Sequence, residues 1–230
     1  MSHPRPGPAA LLFDLDGTLV DTAPDLARAT NALRGHHGLA PLPYAAIRAQ
    51  VSNGGSALVT LALGLERDTA GHDEARAFLL AAYGAAVAVD SRVFPPLDRL
   101  LDEWSESGRP WGIVTNKPRA YAAPLVEALG LTPGALLCAD DLPVKKPDPA
   151  PLLEAARRLD VAPGDCWYLG DHHRDMQAAR AAGMPAVAVG YGYIAEDDDY
   201  RLWPADLWFA DADTLSLALS QDLVQATSSR

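Results

Sequence analysis

From residue 97 onward, short apolar runs alternate with stretches of helical periodicity, and this alternation restricts the fold more than any other feature of the chain. Helical spacing over Leu97–Glu106 precedes the apolar run Trp111-Gly112-Ile113-Val114-Thr115. Helical stretches at 119–129, 151–159 and 175–182 lead into apolar runs at 135–139, 166–169 and 186–189. A last short run at 207–210 enters a helix at 214–219. Repeated strand–helix units of this kind build a parallel sheet with helices on both faces. An earlier run, Ala9-Ala10-Leu11-Leu12-Phe13, has the same buried-strand character and must join that sheet.

Between residues 23 and 89 nothing reads as a strand. A helix starts at Thr22-Ala23-Pro24, with proline in the first turn, and Gly38 with Pro41-Leu42-Pro43 ends it. Further helices are predicted from about Tyr44, Ser56 and Asp73, and Ser91-Arg92-Val93-Phe94-Pro95-Pro96 reads as a stiff connector. The expected fold is α/β: a Rossmann-like, doubly wound parallel sheet core with an inserted all-α cap domain. The core would comprise residues 1–22 and 91–230, and the cap residues 23–90, inserted after the first strand. A chain of 230 residues is long enough for both.

A formal net charge of −11 argues against a nucleic-acid partner, which needs a basic face, and against an anionic membrane surface. An anionic substrate remains compatible if metal, lysine and helix N-termini make one pocket locally positive. Only Lys117, Lys145 and Lys146 supply lysine, so any catalytic lysine is one of these three. Cys138 and Cys166 read as free buried thiols, and the apolar run after the Pro-rich start is too short and too soon acidic for a secretory signal. The expected location is the cytoplasm, the expected assembly a monomer or homodimer, and the tail from Gln221 is expected to fray.

The chemistry gathers at strand ends, where open α/β sheets bind ligands. Asp14 and Asp16 follow the first apolar run, and residues two apart on an extended backbone face the same way. Two carboxylates so close need a cation or a shared proton, and hard oxygen ligands favour Mg²⁺. The run ending at Thr115 enters Asn116-Lys117-Pro118, where a hydroxyl and backbone amides can hold phosphate oxygens or simply cap a helix. Lys145 and Lys146 precede a rigid Pro-Asp-Pro; Lys145 reads as a solvated residue of a basic turn. Gly170-Asp171-His172-His173-Arg174-Asp175 follows another apolar run and puts Asp171 and Asp175 on one side.

In this order, Asp14-Leu15-Asp16-Gly17-Thr18, Thr115, Lys146 before Pro147, and Gly170-Asp171 with Asp175, the chain resembles the haloacid dehalogenase superfamily of aspartate-dependent phosphotransferases. The resemblance implies that Asp14 attacks phosphorus and forms an aspartyl-phosphate. Asp16 would protonate the leaving alkoxide and later deprotonate water. Mg²⁺ would be held by Asp14, the Asp16 backbone carbonyl and Asp171. Thr115 and nearby amides, with Asn116, would bind phosphoryl oxygens, and Lys146 would offset charge on nucleophile and phosphate. Asp175 would orient Lys146 or a metal-bound water.

Asp16 and Asp171 speak against a dehalogenase, and the absence of lysine from residues 18–90 excludes Schiff-base phosphonate chemistry. The implied activity is Mg²⁺-dependent phosphomonoester hydrolysis of a small phosphorylated metabolite. A phosphosugar mutase on the same core is an alternative; a non-catalytic phosphate-binding module is another, although no core group is lost. Local phrases resemble phosphoglycolate phosphatases at Phe13 to Asp21 and at Ile113 to Pro118. The phrase Val189-Gly190-Tyr191-Gly192-Tyr193-Ile194 is similar to N-acetylmuramic acid 6-phosphate phosphatases instead. Both substrates carry a carboxylate. The loop Val51-Ser52-Asn53-Gly54-Gly55-Ser56 is expected to face the core site through Ser52, Asn53 and Gly54, with Arg48 able to meet that carboxylate; an ordinary glycine turn with a surface arginine is the plainer reading. His172 and His173 lie beside the metal site, as zinc ligands or in supporting or exposed roles.

Overall fold

The computed structural model describes residues 7–228; the Pro-rich start and the last two residues fall largely outside them. Its strands are β1 (Ala10–Phe13), β2 (Val20–Asp21), β3 (Arg92–Val93), β4 (Trp111–Val114), β5 (Ala135–Leu137), β6 (Cys166–Gly170), β7 (Ala186–Val189) and β8 (Leu207–Phe209). The helices are α1 (Ala23–His36), α2 (Tyr44–Arg48), α3 (Gly54–Leu63), α4 (His72–Gly84), α5 (Leu97–Glu106), α6 (Arg119–Ala128), α7 (Ala150–Arg158), α8 (His173–Ala181) and α9 (Ala212–Ser228).

Six strands form one parallel sheet in the order β5-β4-β1-β6-β7-β8. The chain winds from β1 outward through β4 to β5, then crosses back to β6 and winds the other way. Both flanks of β1 are therefore filled, and the switch in winding falls beside it, where a doubly wound sheet opens its crevice. Helices cover both faces, so the central strands are apolar at every position. Period-two alternation sends Leu11, Phe13, Ile113, Leu169 and Val187 into one core and Ala10, Leu12, Val114, Tyr168 and Ala186 into the other. A fully buried leucine or phenylalanine contributes about 1.5–3 kcal/mol of transfer free energy, so β1, with Leu11, Leu12 and Phe13 all at 0 % exposure, is a strong anchor. Outside the sheet, α5 presents Leu97, Leu100, Leu101 and Trp104 on one buried stripe at helical spacing.

Helices α1 to α4 lie between β2 and β3, the all-α insertion expected from the sequence. Its entry and exit are joined by an antiparallel ribbon in which Val20 pairs with Val93 and Asp21 with Arg92. The segment read as a stiff connector thus contains a strand, too short for periodicity to reveal. Asp25, at 0 % exposure, ties the same ends together: its carboxylate accepts from the backbone N–H and Oγ of Ser91 and from Arg28. Those hydrogen bonds outweigh burial and hold the carboxyl below its usual range. The tail differs as well. Helix α9 runs on to Ser228, past the point where fraying was expected, and Asp222 pairs with Arg109 at 2.6 Å.

Candidate active site

The first site residues emerge where β1 ends. The Asp14 backbone N–H donates to the Leu169 carbonyl of the neighbouring strand, and Asp14 Oδ1 accepts from the Leu15 N–H at 2.7 Å. The same oxygen receives the Lys146 ammonium at 2.9 Å. Gly17 then turns the chain with φ +80°, and a Cβ there would lie 2.2 Å from Asp171 Oδ2, so glycine is required twice over. Asp16 points to the opposite wall, where Oδ1 accepts from Thr22 Oγ1 (2.5 Å) and Lys117 Nζ (2.8 Å). Each aspartate thus spends Oδ1 on its scaffold, and both residues line the cavity.

Lys146 is buried and saturated. Its three donors reach Asp14 Oδ1, Asp175 Oδ1 (2.9 Å) and the Tyr168 hydroxyl (2.6 Å), which itself donates to the Val114 carbonyl. Burial alone would lower the ammonium's pKa, but the two carboxylates reverse this and raise it. Asn116 Nδ2 donates to the Lys146 carbonyl, which ties the loop after β4 to the lysine loop. Thr115, following β4, accepts the Lys117 N–H on its hydroxyl at 3.1 Å.

Asp171, after β6, is 1 % exposed and accepts from the Tyr193 N–H (2.8 Å), Ser52 Oγ (3.1 Å) and Thr18 Oγ1 (3.3 Å). Ligand atoms of Asp14, Asp171 and Asp175 fall within 4.8 Å of one another. Burial, then the charges of Asp14 and Asp175, push the Asp171 carboxyl up to about 7. Burial also raises Asp14, against the pull of Lys146. One ammonium facing three carboxylates leaves negative charge over, and an all-oxygen set suits a hard divalent cation such as Mg²⁺. The residues fit the ion.

This gives a testable sign. The unfolded Asp171 carboxyl titrates near 3.9, so the metal-free native state binds its proton more tightly, and stability is lost as pH rises from about 4 through 7. A cation competes with that proton. The rise in Tm on adding Mg²⁺ should therefore grow between pH about 5 and 7.5, and Asp171→Asn should flatten it. A Mg²⁺ shift independent of pH, measured by thermal melts, would contradict the assignment.

His172 is not aimed at the carboxylates. Its Nδ1 accepts from the Arg174 N–H at 3.2 Å, while Asp175 Oδ2 accepts from the His172 N–H, a reciprocal cap for α8. Burial and the Arg174 charge hold its pKa down at about 4, consistent with that acceptor role. His173 is exposed on the first turn of α8.

Helical-insertion residues complete the cavity. Ser52, Asn53 and Gly54 line it, and Arg174 Nη2 donates to the Ser52 carbonyl. Arg48 lies elsewhere: its Nη2 donates to the Tyr191 carbonyl at 2.9 Å and its guanidinium lies 4.9 Å from the centre of the Tyr193 ring. The expected meeting with a substrate carboxylate is not the contact it makes, because two tyrosines far along the chain take it first. Tyr193 also accepts the N–H groups of Thr22 and Ala23 on its hydroxyl and donates to Asp21, substituting for a side-chain cap on α1. Lys145 is exposed at the cavity wall. Sequence reasoning gave no site role to Thr22, Lys117 or Tyr168, of which only Lys117 carried a signal, as one of three lysines; Tyr193 stood out only within the Val189-to-Ile194 phrase, with no hint of its cap on α1.

The cavity encloses about 420 Å³ between the sheet's carboxyl edge and the helical insertion, with Asp14, Asp16, Thr115, Asn116 and Lys146 on its floor. A buried carboxylate, a saturated ammonium and an acidic pair beneath a covered cavity define a hydrolase centre, and the comparisons agree. Residues 8–183 match the haloacid dehalogenase-like hydrolase family, and the chain belongs to it.

Two relatives stand at nearly equal distance. N-acetylmuramic acid 6-phosphate phosphatase of Pseudomonas aeruginosa is 40% identical over 200 residues, covering 86% of this chain and 88% of that protein. Phosphoglycolate phosphatase of Xanthomonas campestris pv. campestris is 41% identical over 202 residues, covering 87% and 91%. Among solved structures, a predicted phosphoglycolate phosphatase from Haemophilus somnus superposes with a TM-score of 0.77 at 26% identity, over 91% of this chain and 97% of that one.

Proposed function

We propose that this protein is a Mg²⁺-dependent phosphomonoesterase that acts through an aspartyl-phosphate on a small phosphate ester bearing a carboxylate. The single observation that carries the reading is Asp14: a strand-end carboxylate held by Leu15 N–H and Lys146 that lines the cavity. Asp14 attacks phosphorus. Lys146 compensates the charge that collects on the nucleophile and the transferring group, and Thr115 with the amides around Asn116 receives phosphoryl oxygens. Asp14, the Asp16 carbonyl and Asp171, with Asp175 beside them, would hold a divalent cation, which would supply charge neutralisation to the same group. Asp16, fixed by Thr22 and Lys117, gives its proton to the leaving alkoxide and takes one from the water that opens the intermediate.

We place the cap at residues 23–90, closing over the core and excluding bulk water. The protein is a monomer or homodimer of the cytoplasm on this reading, and no helix among the described residues is long and apolar enough to cross a membrane.

Relatives named for 2-phosphoglycolate and for N-acetylmuramic acid 6-phosphate are similar in identity, so a panel of both with hexose phosphates, compared by kcat/KM, tests the substrate. Failure to release phosphate from any of them overturns the phosphatase reading. The intermediate has its own test in Asp16→Asn. With p-nitrophenyl phosphate, whose leaving group needs no acid, this variant should release about one equivalent of nitrophenol rapidly and then stall. Steady turnover at the unmodified rate without a burst would remove Asp16 from the proton-transfer role.

A further inference from the structure

The roof of the cavity is one face of α4. Arg76, Leu80 and Tyr83 follow one another at helical spacing (i, i+4, i+7), and all three line the cavity above Asp14. Tyr83 marks the deep end. It is 1 % exposed, its ring centre lies 4.5 Å from Lys117 Nζ, and that ammonium holds Asp16. The Tyr83 hydroxyl has no hydrogen bond of good geometry among the described residues. The Lys117 ammonium stands beside that oxygen, and the phenolic proton is left to donate to a ligand.

Arg76 marks the other end. Two turns of helix separate it from Tyr83, about 10 Å along the axis. Its Nε lies 3.8 Å from where a Cβ would stand on Gly55, so the guanidinium stem is laid against the start of α3. Half-buried though it is, Arg76 makes no hydrogen bond or ion pair among the described residues. Arg174 on the cavity is engaged on Ser52, as are Arg48 on Tyr191 and Arg34 on Ala40 and Ala62 in the insertion; Arg67 also lines the cavity without a partner among the described residues, but it is exposed, whereas Arg76 is half-buried. A planar five-donor fork left idle on a substrate cavity is a receptor for a planar acceptor, above all a carboxylate.

We propose that Arg76 is the subsite for a second anion on the substrate, at the opposite end of the cavity roof from Tyr83, and that Tyr83 binds a substrate oxygen lying between that anion and the phosphoryl group. This deepens the phosphatase reading and rests on it. In 2-phosphoglycolate the carboxylate and the ester oxygen share one methylene, which leaves no further oxygen between them for Tyr83. In N-acetylmuramic acid 6-phosphate the lactyl acid on O3 and the phosphate on O6 are separated by ring carbons that carry the 4-hydroxyl between them. The cavity's 420 Å³ also suits a ring far better than a two-carbon acid. The structure therefore assigns an acidic hexose phosphate as the substrate class.

The test compares N-acetylmuramic acid 6-phosphate with N-acetylglucosamine 6-phosphate, the matched sugar without the lactyl acid, and with 2-phosphoglycolate. Wild-type kcat/KM should rank the acidic sugar first. Arg76→Met should raise KM for the acidic sugar roughly ten- to a hundredfold, the equivalent of one charge-assisted hydrogen bond, with kcat nearly constant. The neutral sugar should keep its KM, and Arg76→Lys should recover part of the loss. Equal changes on both sugars, or none on either, overturn the assignment. So does a wild-type preference for 2-phosphoglycolate, which leaves the phosphatase reading standing. Absence of hydrolysis for all three instead removes the phosphatase reading itself. A melt of Arg76→Met with wild-type Tm excludes misfolding as the cause.

Discussion

Asp14→Asn should abolish phosphate release from every ester tested, with kcat falling by about 10⁴-fold or more, as when other covalent nucleophiles are removed. The amide matches the carboxylate in shape and can still accept the Leu15 N–H, so the loop after β1 keeps its anchor. It cannot form an acyl-phosphate. The substitution also lifts one charge from a buried group of three carboxylates sharing one ammonium. In the absence of Mg²⁺ the variant should therefore melt no lower than the parent, and the large loss of rate cannot be charged to unfolding. Acid quench of the parent during turnover should trap phosphate on the chain, and the variant should trap none. Turnover within about tenfold of the parent would move the nucleophile elsewhere.

Strands were legible from the sequence wherever burial on both faces left an uninterrupted apolar run, as at Leu11 to Phe13 and Ala186 to Val189. That the first strand joins the same sheet was legible as well, but its place between β4 and β6 was not. The site was legible for a related reason: Asp14, Thr115, Lys146 and Asp171 each follow a strand in the chain, and a doubly wound sheet brings such points together beside the switch in winding. What escaped depends on contacts between distant segments. Tyr168 lies within an apolar run and looks like core, yet its hydroxyl is the third partner of Lys146. Tyr193 caps a helix about 170 residues earlier in the chain, which no local pattern encodes. Arg48 had the right chemistry for a carboxylate, but whether it faced ligand or protein was decided by where the Val189-to-Ile194 loop packs. The ribbon β2–β3 is two residues per strand, below any detectable period.

Lys146→Met should cost both rate and stability, and the two losses should separate. The methionine fills similar volume but strips Asp14 and Asp175 of their ammonium and Tyr168 of its donor. Removing one partner of a buried ion pair costs about 3–5 kcal/mol, because the charges left behind remain buried. The deficit should shrink as pH falls, since a protonated carboxyl needs no ammonium. It should also shrink in Asp14→Asn/Lys146→Met, where one of the stranded charges is gone; a double-mutant cycle in denaturant gives the coupling directly. Rate behaves differently. Loss of the cation that, alone among the described residues, pairs with the nucleophile should lower kcat by about a thousandfold or more, and neither low pH nor the second substitution can return it. If the stability of Lys146→Met were unchanged at neutral pH, the three-way contact among Asp14, Asp175 and Lys146 would not be what holds this centre together. If its rate survived, the charge on the transferring phosphoryl group would be met by another residue, and Lys117, already bonded to Asp16 across the same cavity, is the one placed to do so.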